Sequence, residues 1–587
     1  MNAPAESSAG LHVIPRSTSG AEPMSLNGAL QVGQSAILAS QAALSVAGNN
    51  MANAATPGYH RQRIGILPGS PESIGRGQFV GTGVQIGSIT RQIDVALQAR
   101  LRSAIGEQAG AAIDQSFLSS IEMLQGELSD SDISSELSAF FNSWSELANN
   151  PGDSGMRSLV LQQGESLAGG IRQLREDYNV LREEADRGLG VSVERADAIL
   201  DQIAELNVKI SETEGGAGQA NTLRDQRDTL VDELSEMMDV TTIDQANGAV
   251  DVLVGSMPVV IAGESRGITM RTEAKNGDME VTIRVKADGS DLDISSGAIG
   301  GLLRQRAETI EPAIEQIDTF ASELIFQVNR IHSQGQGSSG WTSATGQYAV
   351  EDPTIALGAL GSGVPFPVEN GSFFITVTNT ATGTDSTHMI QVDPTTMSLN
   401  DIRAEITTSL LGTGVTASVG ADGRLTIDAP AGSELSFGED SSGALAALGL
   451  NSFFQGTSAV DISVSESLSG QPTLLATGGG GVEGSNATAL AMVQLREMGL
   501  ESLSGRSLQE YWQAGVNDLA VRTDAANTRL QGASLVRDSL DAQNASVSGV
   551  SLDEEAIDLL SYQRQFQAAA RYLSIIDETL QSLLSIV

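Results

Sequence analysis

Large apolar and small residues alternate along one seam of the segment that follows Met24. Steps of four and three mark Leu26, Leu30, Gly33, Ile37, Ser40, Leu44, Ala47 and Met51, a heptad-like stripe that predicts an amphipathic helix. The far end of the chain carries a longer one: Leu559, Tyr562, Phe566, Ala569, Leu573, Ile576, Leu580, Leu583 and Val587. Ser551 and Glu554 have the spacing of a capping box and set the start of this second helix. From Leu552 to Val587 it would be about 54 Å long. One stripe alone reads most simply as a helix lying on a globular core. Two stripes at opposite termini can bury each other, parallel or antiparallel, each Leu, Ile or Phe gaining about 1.5–3 kcal/mol on leaving water. They predict a terminal coiled-coil domain made of residues 24–64 and 546–587.

Between the ends the helical period continues. Residues from about 92 to 240 read as long helices, with Ile199, Ile203, Leu206 and Ile210 on one face and Leu223, Leu230, Leu234 and Met237 on another. Residues 303 to 331 repeat the heptad as Leu303, Ala307, Ile310, Ile314, Ile317, Ala321, Leu324, Val328 and Ile331; Pro312 falls off that seam and predicts a bend. With the helical stretches after Asn486, these predict an elongated helical bundle over 65–335 and 485–545. Asn247-Gly248 and Asn276-Gly277 separate alternating apolar runs and predict β-hairpins at about 240–290. Residues 340–470 form a β-rich insert: SFFITVTNT, a short helix on Leu399, Ile402, Ile406 and Leu410, then VTASVGADGRLTID with its turn at Asp422-Gly423. The run Gly478 to Gly481, inside 471–484, reads as a linker back to the bundle. The predicted class is mainly α with β inserts (α+β): paired terminal coiled-coil helices, an elongated bundle and an outer β-rich domain. This nested order places both termini at one end and the insert at the other.

Composition removes several functions. The 587 residues supply more than one hydrophobic core. A net charge of -40 opposes attraction to nucleic acid or anionic lipid. Without cysteine there are no disulfides, thiolate metal sites or thiol nucleophiles. His12, His60, His332 and His388 lie in unlike contexts without ligand spacing. Gln31, Gln34, Ser35, Ser40, Gln41 and Ser45 interrupt the first helix, so it is not expected to insert in a membrane. Residues 1–23 lack the apolar core of a cleaved secretory signal and are either a disordered extension or a misassigned start ahead of Met24. The glycine-rich GRGQFVGTGVQIG lacks phosphate-loop spacing. Asn486-Ala487-Thr488 and Asn544-Ala545-Ser546 fit a glycosylation pattern as readily by chance. Asp and Glu are expected on the solvent faces of heptads. No catalytic, cofactor-binding or metal residue is assigned, and no cofactor.

The stretch NNMANAATPGYHRQR follows a segment, Met24 to Tyr59, that holds no Asp, Glu, Lys or Arg. Pro57 disfavours helix at Thr56 and Gly58 admits positive φ, so the helix stops here. Asn49, Asn50 and Asn53 can bond backbone groups at its end, and Arg61 and Arg63 mark a return to solvent or to an acidic neighbour. Asn49, Asn50, Ala52, Asn53, Thr56, Pro57, Gly58 and Tyr59, then GTGVQIGSITRQID with Gly81, Gly83, Val84, Arg91 and Asp94, resemble the N-terminal signature of bacterial flagellar rod, hook and hook-associated proteins. LDEEAIDLLSYQRQFQAAARYLSIIDETLQSLL resembles their closing helix. NTLRDQRDTLVDELSEMMDV and VDVLVGSMPVVIAGE resemble the hook-associated branch that joins hook to filament.

That resemblance implies a non-enzymatic structural adaptor, extracellular in the flagellum and exported without a cleaved signal peptide. It implies self-assembly into a ring or tube layer, with the terminal helices inside and the inserts outside. Its implied neighbours are the hook protein, a second hook-filament junction protein, and an export chaperone of the FlgN type on the C-terminal helix. The assembly interface would use Leu30, Ile37, Leu44, Met51, Asn49, Asn50, Asn53, Thr56, Pro57, Gly58, Tyr59, Leu559, Tyr562, Phe566, Leu573, Ile576, Leu580 and Leu583. The alternatives are another axial protein of hook or distal rod, an exported enzyme such as a wall hydrolase, or a secreted membrane-active helical protein.

Overall fold

The computed structural model describes residues 26–75, 77–126, 132–215, 218–275, 278–479 and 484–586. The stretch 1–23 with Met24, the Asn276-Gly277 turn, Gly480 and Gly481 of the glycine run, and Val587 lie outside those residues. In chain order the helices are α1 Leu26–Ala52, α2 Val95–Gln125, α3 Ile133–Asn149, α4 Ser154–Glu214, α5 Asn221–Met237, α6 Gly297–Gln305, α7 Glu311–His332, α8 Leu399–Ser409, α9 Ala444–Ala447, α10 Glu466–Gly470, α11 Ala487–Leu495, α12 Leu508–Ser548 and α13 Leu552–Ile586. Small antiparallel sheets punctuate them, so the chain is mainly α with β inserts. Two compact units share it, one within 1–106, 194–295 and 535–587, the other within 107–193 and 296–534.

In the first unit α1 packs along α13. Gly33 lies against Leu573, and Asn50 reaches Glu555, so the two helices run antiparallel. The shielded face of α1 is rotated from the predicted seam. Gly33, Ala39, Ser40, Ala43, Ala47 and Asn50 are buried, whereas Leu30, Ile37 and Leu44 are half-buried and Met51 is exposed. The cause is steric: α13 brings the bulk, and only small residues let the helix axes approach. A Cβ on Gly33 would stand 2.5 Å from Leu573 Cδ2. On α13 the predicted seam is the shielded one, with Ala569 and Ile576 buried and Leu559, Tyr562, Phe566, Leu573 and Leu580 half-buried; Leu583 is exposed.

Elsewhere in this unit, Leu97, Leu101, Ala104 and Ile105 of α2 pack on Leu540 of α12. The hairpin Val240–Asp244 with Val250–Val254 turns at Asn247-Gly248, where Gly248 has φ of +85° and the Gln245 N–H donates to Ala249 O at 2.9 Å. Ile199, Ile203 and Ile210 of α4 are buried and Leu206 is half-buried. Asn207, on the same helix, pins the hairpin by accepting the Val250 N–H at 3.0 Å and donating to Val250 O at 2.7 Å.

In the second unit the predicted heptad over 303–331 is not one helix. A π turn at Arg306–Ile310 separates α6 from α7, and Pro312 stands in the first turn of α7. Pro312 has no N–H to offer the Glu308 carbonyl; that oxygen is taken instead by the Arg522 guanidinium of α12, at 3.0 Å. The extra residue in the π turn shifts the phase upstream, so Ala307 is exposed and Leu303 half-buried, while Gln305 and Arg306 go inside. Downstream the predicted seam holds through Ile310, Ile314, Ile317, Ala321, Leu324 and Val328, all buried.

The β-rich insert has two three-stranded antiparallel sheets, Thr384–Val392, Gly371–Asn379 and Ser433–Gly438 in one, and Ser343–Thr345, Leu425–Asp428 and Thr416–Val419 in the other. Ser398 and Asp401 cap α8 reciprocally, and Leu399, Ile402, Ile406 and Leu410 enter one core with Phe373, Ile375 and Ile390. A second core gathers Phe140 and Trp144 of α3 with Phe453, Phe454 and His332. His332 is fully buried between the Asn451 carbonyl, 2.7 Å from Nδ1, and the Ala476 N–H, 3.0 Å from Nε2. The N–H must therefore sit on Nδ1, and Nε2 accepts. Burial lowers the His332 pKa to about 4.

This sets a direction for acid stability. The unfolded chain takes up the proton near pH 6.5 and the folded chain only near 4, so stability is fully present above 6.5 and falls as pH drops toward 4. Between pH 6.5 and 5 the expected loss is roughly 2 kcal/mol. Urea unfolding followed by the fluorescence of Trp144, Trp341 and Trp512 reports on this unit; an unchanged midpoint across that interval would show that His332 is not held neutral.

Candidate assembly site

The helix α1 ends in a turn whose backbone does what its residue types require. Gly58 has φ of +73° and the Tyr59 N–H reaches Thr56 O at 3.2 Å, with Pro57 ahead of the glycine, which matches a type II turn. Asn53 donates to the backbone oxygen of Asn49 at 3.0 Å and accepts from the Thr56 hydroxyl at 3.3 Å, closing the frayed helix end. Asn49, Thr56, Pro57 and Gly58 are exposed. Pro57 borders a shallow groove with Leu206 of α4 and Leu230 of α5.

Asn50 behaves differently, because it is 1% exposed and every polar atom is used. Its amide donates to Gln62 O at 2.9 Å and to Glu555 at 3.1 Å, and its oxygen accepts the Gln62 N–H at 3.0 Å and the Tyr59 hydroxyl at 2.8 Å. Burial, with Asp225 and Glu555 nearby, pushes the Tyr59 hydroxyl up to about 12, so it stays a donor. Asn50 thus joins the end of α1, the strand that follows it and the C-terminal helix.

Glu555 is the second member of this junction and is 2% exposed. Arg61 Nε donates to it at 2.7 Å, while the same guanidinium reaches Glu554 at 2.6 Å and Asp558 at 3.5 Å. Burial opposes the Arg61 charge, but the hydrogen bonds it donates to Glu554 and Glu555, with the charges of those carboxylates, outweigh it and raise its pKa. The backbone closes the same clamp, as the Arg61 N–H donates to Ser548 O at 2.8 Å. Glu554, the predicted capping-box residue, gives its carboxylate to Arg61, and its N–H lies 3.5 Å from the Ser551 hydroxyl.

A neighbouring polar layer explains the motif at the start of α5. His60 Nδ1 lies 2.7 Å from Asp225, and Arg91 lies 2.9 Å from Asp225 and 2.6 Å from Asp228. Arg102 binds Asp232 at 2.7 Å, and Asn221 donates to Ile89 O at 3.0 Å. Arg224 pairs with Glu214 at 2.7 Å, and Arg227 donates to Gly248 O at 2.7 Å, its pKa lowered to about 10 by burial. The expectation that acidic residues sit on solvent faces therefore fails at Asp225, Asp228 and Glu555, all buried. Each has a guanidinium partner, which is the condition for burying a carboxylate. The predicted apolar face of α5 is correspondingly reduced: Leu234 is buried, but Leu223, Leu230 and Met237 are only half-buried.

Sequence reasoning named Asn50 and Tyr59 but not Glu555, His60, Gln62 or Asp225 as members of one site. A usable signal was present: a glutamate at a position in phase with the Leu559 and Tyr562 seam, in a chain whose opposite helix offers no charge. Most of its groups pair with one another, while Asp225 Oδ2, Asn221 Oδ1, Arg102 Nη2 and Arg227 Nε are buried without a hydrogen-bond partner. It ties the two ends of the chain together, and among the described residues no cluster of His, Asp and Glu could hold a metal.

Comparison with known proteins gives the class first. Residues 30–60 match the family profile described as flagella basal body rod protein, and residues 542–586 match the flagellar basal body rod FlgEFG protein C-terminal profile. These spans hold α1 and α13, so the chain is an axial flagellar protein. Residues 118–347 match the profile of the flagellar hook-associated protein FlgK helical domain. Flagellar hook-associated protein 1 of Salmonella typhimurium is 26% identical over 94% of this chain and 98% of its own length, and that of Bacillus subtilis is 25% identical over 95% and 97%. A solved structure of the flagellar hook junction protein FlgK from Burkholderia pseudomallei superposes with a TM-score of 0.48 at 14% identity, covering 77% of this chain and all of that one. The chain belongs to the flagellar hook-associated protein 1 (FlgK) family, and it is a structural component of the flagellum.

The buried clamp is open to a direct test. Arg61→Ala strands the Glu555 carboxylate and should cost the terminal pair roughly 3 kcal/mol, whereas Arg61→Ala with Glu555→Ala should cost less. Amide exchange over residues 552–562 would rise sharply in the single variant; equal exchange in wild type and Arg61→Ala would show that the ion pair does not hold the helix.

Proposed function

We propose that this protein is an adaptor that joins hook to filament by adding neighbours onto its α1–α13 pair. The supporting observation is the surface that pairing leaves bare. Ile557, Leu560 and Ile575 on α13 are 67%, 53% and 62% exposed, nearly half a turn of helix away from the stripe that faces α1. Apolar side chains in a row on an acidic, water-soluble chain mark a contact surface. In the free chain such a pair is marginal, since helices gain most of their stability from packing. Ordering is therefore completed by neighbouring subunits, and the exported monomer avoids premature polymerisation.

On this reading the hook protein lies below and a second junction protein above, and an export chaperone holds α13 before assembly. The chain leaves the cell without a cleaved signal and acts outside it. Its part is mechanical and not enzymatic, carrying bending load through packed helices. The residues of the interface are those of the terminal helices and the turn between α1 and the two-stranded ribbon Gln62–Pro68 with Val84–Arg91, with Leu559, Tyr562, Phe566, Leu573 and Ile576 keeping the pair intact.

Phe566→Asp or Leu573→Asp places a charge in the α1–α13 seam and should unfold the pair while leaving the tryptophan-bearing second unit folded. Cells carrying either variant should build hooks without filaments and should not swim, as seen by electron microscopy and motility agar. Normal swimming with a full complement of filaments would remove the terminal pair from the mechanism. Loss of the whole protein with filaments still attached would remove the junction role itself.

A further inference from the structure

The second unit holds a polar cavity of about 390 Å³ beside the start of α4, between the segment that leaves α7 for the β-rich insert and the segment that returns from it. Those two segments touch where the Gln336 N–H donates to Gly478 O at 2.6 Å. Arg157 lines the cavity with Gln336, Ser338, Thr477 and Ser485, and no Asp or Glu is among the described residues of its wall. That is out of keeping with a chain of 73 acidic and 33 basic residues. Arg157 is 4% exposed, and its Nη2 donates to Pro151 O at 2.8 Å and to Thr477 Oγ1 at 3.1 Å while Nη1 donates to Leu475 O. All of these acceptors are neutral. Among the described residues Arg157 has no carboxylate partner and its Nε–H no acceptor, whereas the buried Arg91, Arg102 and Arg306 each face an aspartate.

A buried charge without a counter-ion is costly. Position adds to the cost here, because Arg157 stands in the first turn of α4, where the helix dipole favours an anion and opposes a cation. Asp153 answers only the helix, its carboxylate accepting the Gly155 N–H at 2.7 Å and the Met156 N–H at 3.3 Å. On the opposite wall the N–H groups of Gly337 and Ser338 have no acceptor among the described residues. We infer that this cavity binds one small oxyanion of the phosphate class, with Arg157 as its charged anchor and the N–H and hydroxyl groups of the 336–338 wall as neutral donors. Charge-assisted bonds from a guanidinium to an oxyanion are the strong ones. The lining groups come from three separate segments and not from one plane, which suits a tetrahedral anion better than a flat carboxylate. Occupancy ties the outgoing and returning segments to α4 and stiffens the neck that carries the insert. The inference is independent of the assembly role.

Equilibrium dialysis of the full-length chain against radiolabelled inorganic phosphate, at fixed ionic strength in potassium chloride, tests this directly. One phosphate per chain should bind saturably, be displaced by sulfate, and slow amide exchange over residues 334–340 and 473–479. Arg157→Gln should abolish the binding. Because that change also removes bonds to Leu475 and Thr477, a second variant guards against simple unfolding: Ser338 is exposed, so Ser338→Asp leaves the fold intact, places a carboxylate on the cavity wall and should abolish binding as well. No saturable binding in the wild-type chain, or undiminished binding in Ser338→Asp, overturns the inference. Displacement by acetate and not by sulfate overturns the assigned class of anion. Binding that appears only in Glu483→Gln would show that the chain supplies its own counter-ion, and overturns the inference equally.

Discussion

A carboxylate held away from water governs how the ends of this chain come together. Glu555 sits where the second seam begins, and it is tolerable there only because Arg61 and Asn50 satisfy it. Arg61 can reach it only if the chain turns sharply after α1, which the Thr56-Pro57-Gly58-Tyr59 turn provides. Asn50 can reach it only if α1 runs antiparallel to α13 in one register. The turn, the register and the pairing are therefore mutually dependent, and the hydrophobic seam supplies affinity while the clamp supplies alignment.

The same logic extends to the layer behind. His60, Arg91 and Asn221 tie the segment after α1 and the ribbon to α5, and Arg227 with Asn207 ties α5 and α4 to the neighbouring hairpin. Apolar seams tolerate slippage by a heptad, whereas directional hydrogen bonds to buried charges do not. Rotation of α1 on α13 would strand a buried charge, so the pinning holds the pair in one geometry. The second unit uses the device again without charge: His332 with Asn451, and Asn329 with Phe453 and Phe454, lock polar atoms inside aromatic packing.

Much of the architecture was legible from periodicity. The antiparallel-capable terminal stripes, the long helices, the Asn247-Gly248 hairpin and the helix on Leu399, Ile402, Ile406 and Leu410 all repeat at intervals that only one kind of element can bury. The failures share a cause. Ala307 and Leu303 left the seam because a π turn adds one residue, and nothing in a heptad count announces that Pro312 will give up its hydrogen bond to an arginine more than two hundred positions later. Met51 left the α1 seam because the partner helix is the bulky one, and the face a helix buries depends on what it packs against.

By itself, then, the sequence determined which segments are helices and strands, that the two ends carry complementary seams, and where α1 must stop, since these follow from local period and from the backbone limits of proline and glycine. Only the tertiary structure decided which acidic residues go inside, that Asn50, Arg61 and Glu555 form one junction, and which face of α13 stays bare. A buried carboxylate is stable only with its partner in place, and that partner is brought close by folding and not by position along the chain.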